Sequence, residues 1–88
     1  MNNLFSNCKN LINLDLSSFN TINVIDMTEM FNSCKKMINL DLSSFNTNNV
    51  NEMNNMFDDC NNLKSIKMKK HLNEKIIKKL NNGIKIFD

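Results

Sequence analysis

Residues 30–55 read MFNSCKKMINLDLSSFNTNNVNEMNN, and residues 4–29 read LFSNCKNLINLDLSSFNTINVIDMTE. The two segments are identical at 16 of 26 positions, and LDLSSFNT recurs unchanged at 14–21 and 40–47. Cys8, Cys34 and Cys60 share the 26-residue spacing, as do Phe5, Phe31 and Phe57. A third segment, 56–81, keeps Met56, Phe57, Cys60 and Leu63 and then diverges. A fixed period of this length marks a stacked array, because one such unit cannot bury its own apolar residues and must lay them over those of a neighbour.

Two periodicities alternate inside each unit. Leu11, Leu14 and Leu16 follow L-x-x-L-x-L, as do Met37, Leu40 and Leu42, and then Leu63, Ile66 and Met68. The last two members of each set are two apart, so they share one face of a short strand. Val24, Met27, Met30, Phe31 and Cys34 then recur at helical spacing, repeated by Val50, Met53, Met56, Phe57 and Cys60. Asn23 and Asn49 precede these runs and suit helix N-caps. The expected fold is an α/β repeat: a leucine-rich-repeat solenoid of about three 26-residue strand–helix units (4–29, 30–55, 56–81) forming one domain over 1–88. Its strands form a parallel sheet, and a Lys-rich segment at about 69–88 forms the C-terminal cap. In that cap Ile76, Ile77 and Leu80 share a helical face, Asn81-Asn82-Gly83 supplies a helix stop, and Ile84 and Ile86 belong to a last strand.

Composition narrows the function. The chain has 88 residues, one Gly, one His, three Cys and no Pro, Trp or Tyr. A single Gly excludes a glycine-rich phosphate loop, and no apolar run approaches the ~18 residues of a membrane helix. Asn fills 20 positions and is read as compositional drift rather than as a functional signal. Charge is uneven. Residues 1–62 carry three Lys against seven acids, and residues 63–88 carry eight Lys against two acids. The Lys-rich end is expected to be the solvated outer face of a cap. All the cations are Lys, and no Tyr or Trp interleaves them for base stacking, so no nucleic acid is expected as a partner.

The pattern M-F-x-x-C-x-x-[LM]-x-x-L-D-L-S-S-F-N-T-x-N-V-x-x-M resembles the repeat of BspA-like leucine-rich-repeat surface proteins. Residues 30–53 carry all of it, residues 4–27 carry it with Leu4 in place of Met, and residues 56–68 carry its first half with Ile66-Lys67-Met68 in place of L-D-L. The resemblance implies a repeat-rich surface protein engaged in adhesion to host matrix or to other cells. The first residues hold no leader pattern. The expected place is therefore the cell surface or the exterior if the chain belongs to a longer protein, and the cell interior otherwise.

No catalytic or metal-binding constellation emerges. The cysteines lack a CxxC or a nearby His and are read as buried small residues. The Met and Phe stripes read as core. Ser17, Ser18, Ser43 and Ser44 have no His to activate them, and His71, aligned with Phe19 and Phe45, reads as a structural substitution. No cofactor is expected, and the chain is read as non-enzymatic. The candidate partner-binding surface is the outward face of the strands: Asn13, Asp15, Ser17, Asn39, Asp41, Ser43, Ser65, Lys67 and Lys69. Its expected partner is a protein or a glycan. The alternative is an intracellular scaffold that self-associates through an open N-terminal edge.

Overall fold

The Asn-Leu-Asp triplets Asn13–Asp15 (β1) and Asn39–Asp41 (β2) each form a three-residue strand, as do Ser65–Lys67 (β3) and Lys85–Phe87 (β4). All pairing is parallel, in the order β1-β2-β3-β4. Registers run Leu14↔Leu40↔Ile66↔Ile86, so equivalent repeat positions lie side by side from β1 to β3. The computed structural model describes residues 2–80 and 83–88. It is a small compact body of 29 × 25 × 24 Å.

The segments expected to be helical are not helices. Residues 28–33 and 54–59 form consecutive turns. The Met30 N–H donates to Met27 O (3.2 Å) and the Cys34 N–H to Phe31 O (3.2 Å); Met56 to Met53 and Cys60 to Phe57 repeat the pair. The third residue of each turn has positive φ: Glu29 +56°, Ser33 +63°, Asn55 +59° and Asp59 +60°. That is the signature of type II turns. A turn brings its first and fourth residues together, so two in succession gather Met27, Met30, Phe31 and Cys34 on one side. Their spacing matches one face of a helix. Asn23 and Asn49 accordingly lie in turns and not at helix N-termini.

The turns also satisfy a backbone demand that helices would have met internally. Met27, Glu29, Phe31 and Ser33 donate their N–H groups to the carbonyls of Glu52, Asn54, Met56 and Asp58 at 2.7–3.0 Å. Asn3, Phe5 and Asn7 donate in the same way to Thr28, Met30 and Asn32. A parallel bridge between Asp26 and Glu52 leads into this ladder.

The core lies between sheet and turns. Leu16, Met27, Met30, Phe31, Cys34, Met37, Leu40, Leu42, Phe45, Ile66 and Met68 are essentially inaccessible. Phe5, Phe31 and Phe57 stack at centroid distances of 5.7 and 5.5 Å with interplanar angles of 5° and 12°. Such offset stacks add to the area that the rings bury.

The C-terminal segment closes one end. A 3-10 turn, Lys70–Leu72, precedes the single short α-helix of the described residues, α1 (Glu74–Ile77). Ile76 is buried, and Ile77, Leu80 and Ile84 pack against the core. Gly83 has φ +94°, the left-handed region that glycine tolerates best. Asn81 and Asn82, expected in the helix stop, lie outside the described residues. His71 does not replace Phe45 in the interior and is exposed. The third repeat is also cut short: Ser65 pairs with Asn39, 26 residues earlier, but with Lys85, 20 residues later.

Candidate binding face of the sheet

The Asp-Leu-Ser-Ser-Phe-Asn-Thr segment leaves each strand and turns the corner, and most of its polar atoms are committed to backbone. The Ser17 N–H donates to Asp15 Oδ1 and the Ser43 N–H to Asp41 Oδ1, both at 2.9 Å. These are Asx-turns, which the short carboxylate of Asp favours. The Ser17 amide holds the Asp15 carboxyl below the ordinary carboxylate range, and the Thr28 amide does the same for Asp26. Ser44 Oγ donates to Leu16 O across the repeats (2.7 Å). The Asn48 N–H donates to Asn46 Oδ1, and Asn49 Nδ2 donates to Ile22 O (2.7 Å). Thr21 Oγ1 donates to Asn46 O and accepts from the Asn46 N–H, and Thr47 Oγ1 donates to Leu72 O. One side of each repeat is therefore joined to the next through side chains.

On the face itself, the register sets Asn13, Asn39, Ser65 and Lys85 in one outward row and Asp15, Asp41, Lys67 and Phe87 in the next. Neighbours in a row sit ~4.8 Å apart. A cleft of about 480 Å³ runs along these rows and is lined by Asn13, Asp15, Asn39, Asp41, Ser65, Lys67 and Phe87. Six of the nine residues expected on the binding face thus come together. Ser17, Ser43 and Lys69 lie beyond the strand ends and do not line it. Asn13, Asp15, Asn39 and Lys67 are exposed, whereas Asp41 and Ser65 are half-buried. Ser65 Oγ donates to Asn39 Oδ1 (2.6 Å).

Phe87 is the member that sequence reasoning missed. It is 41% exposed and pairs with Lys67. The available signal was strand alternation: with Ile84 and Ile86 inward, the following residue points out. The cleft is acidic over β1 and β2, basic over β3, and aromatic at β4.

The cysteines do different work. Cys34 Sγ donates to Phe5 O (3.1 Å) and Cys60 Sγ to Phe31 O (3.0 Å). All three are free thiols, with Cys34 and Cys60 buried and Cys8 half-buried. The adjoining Cys60 sulfur and burial together push the Cys34 thiol far up, and burial raises Cys8. Among the described residues no three His, Cys, Asp or Glu side chains converge as metal ligands, and no helix is long and apolar enough to cross a membrane.

Comparison with known proteins gives a family and nothing closer. No curated protein and no solved structure matches the chain. A family model described as "Mycoplasma protein of unknown function, DUF285" matches residues 1–87. With nearly its whole length matched, the chain belongs to the DUF285 family.

Proposed function

We propose that this chain is a BspA-like leucine-rich-repeat solenoid that binds a protein or a glycan with its sheet face, serves adhesion at a cell surface, and has no catalytic role. The observation that carries the reading is the cleft along the outward rows, with exposed Phe87 beside Lys67 at one end and Asp15 and Asp41 at the other. Aromatic rings bind large, flat partners at little entropic cost, and flanking charges fix their orientation. Sugar rings and extended peptides both suit such a floor. The repeat resemblance supports the surface setting.

The test is retention of the chain on a panel of immobilised matrix proteins and glycans, with Lys67→Glu and Phe87→Thr as variants. Both side chains are exposed, so folding is retained and is checked by thermal unfolding. The proposal expects one probe to bind and each variant to weaken it at least about tenfold, near 1.4 kcal/mol. Retention that both variants leave unchanged, or none on any probe, overturns it. A mass that rises with concentration, without retention on the panel, favours a self-associating scaffold instead.

A further inference from the structure

The structure assigns a second site, away from the sheet: a phosphate-binding pocket where the shortened third repeat leaves the second repeat uncovered. A depression of about 350 Å³ lies there, lined by Asn51, Met53, Asn54, Lys75, Lys78 and Lys79 together with Val50. Three cations line it, and no carboxylate does.

Two features make it more than a solvated patch of lysines. Lys75 is held in place, because its Nζ donates to Asn48 O (3.1 Å) and Val50 O (2.7 Å). An ammonium fixed by two carbonyls keeps its third donor aimed in a set direction. The second feature comes from the broken repeat. Met27 N–H donates to Glu52 O in the next unit. Met53 is its equivalent one repeat on, and its N–H finds no acceptor among the described residues. The chain has left the ladder there to form α1, and Met53 lines the pocket at that break.

The donor set selects the ligand. Three lysines and a free backbone donor around one depression with no carboxylate suit a doubly charged anion better than a singly charged one. Lys binds phosphate as a point charge. The volume admits a small phosphate monoester. Its source is either a free ester or a lipid headgroup, and both present the same group. Because the second pKa of a phosphate monoester is about 6, binding strengthens as pH rises from about 5 to 7.

The probes are glycerol 3-phosphate, with glycerol as control, and vesicles of phosphatidic acid in phosphatidylcholine. Amide resonances of the intact chain are followed during titration. The Met53 amide is expected to shift with glycerol 3-phosphate and not with glycerol. Lys78→Ser with Lys79→Ser, both exposed positions, weakens that binding about tenfold or more at unchanged melting temperature. Saturable binding of the soluble ester assigns a free ligand. Co-sedimentation with phosphatidic acid vesicles alone, lost in the variant, assigns the lipid. No Met53 shift together with no vesicle binding overturns the site, and so does binding that the double variant leaves intact. Failure here leaves the sheet-face proposal standing, since Lys67 and Phe87 are not in this pocket.

Discussion

The three stacked phenylalanines are equivalent in sequence and unequal in the structure, which makes Phe31→Leu an informative perturbation. Phe31 has a ring neighbour on each side, at 5.7 and 5.5 Å, and is fully buried. Phe57 stacks on Phe31 alone and is 7% exposed. Leucine keeps much of the volume and apolar area, so the change chiefly removes ring–ring contacts, each worth about 0.5–1.5 kcal/mol. Phe31→Leu therefore costs about 1–3 kcal/mol and Phe57→Leu about half as much. Stability for a chain of this length is roughly 4–13 kcal/mol, so both variants fold and can be compared. At about 4–8 °C per kcal/mol, Phe31→Leu lowers the melting temperature by roughly 4–24 °C. The assay is thermal and urea unfolding of both variants. Equal losses at the two positions, or a larger loss at Phe57, would refute the stacked arrangement.

Glu29→Gly distinguishes turn from helix by sign. With φ +56° at Glu29, glycine relieves about 1 kcal/mol of left-handed strain, whereas in a helix it would cost about 1 kcal/mol; urea midpoints decide. Lys75→Met removes the donor to Asn48 and Val50 carbonyls and is expected to destabilise by about 1–3 kcal/mol, which a thermal melt measures. For pH, the carboxyls of Asp15 and Asp26 are lowered by the amides of Ser17 and Thr28. A depressed folded pKa gives stability that is present above the unfolded value, about 3.9, and lost as pH falls through the folded one. The melting temperature should drop below about pH 4, and less steeply in the Asp15→Asn, Asp26→Asn double variant; equal slopes would remove those bonds from the account. Alkylation of the native protein should modify Cys8 first, with Cys34 and Cys60 protected until unfolding, as peptide mass mapping would register.

Strand positions were legible because Leu14 and Leu16, or Leu40 and Leu42, sit two apart and only a strand sets such a pair on one face. The turns were not, because Met27, Met30, Phe31 and Cys34 have the spacing both of a helix face and of two successive turns. A discriminating signal exists at the left-handed positions. Asn7, Asn55 and Asp59 are residue types that tolerate positive φ. Glu29 and Ser33 occupy the same places one repeat before Asn55 and Asp59 and mask it. Asparagine abundance, discounted as drift, carries structural information after all: Asn20 and Asn46 accept from backbone amides, and Asn49 and Asn73 donate to carbonyls of the preceding repeat. On the binding face, the outward rows followed from alternation. Phe87 did not, because β4 pairs 20 residues beyond β3 and breaks the 26-residue count. The recurrence of LDLSSFNT has a sufficient structural cause in its turns and cross-repeat bonds.

The most direct test of the repeat architecture is a measurement of through-hydrogen-bond scalar couplings between amide nitrogens and carbonyl carbons. The turn ladder predicts that the amides of Met27, Glu29, Phe31 and Ser33 couple to the carbonyls of Glu52, Asn54, Met56 and Asp58, 25 residues further along the chain. Couplings of Phe31 and Cys34 to carbonyls four residues before them would mean helices in place of the ladder and would contradict the account.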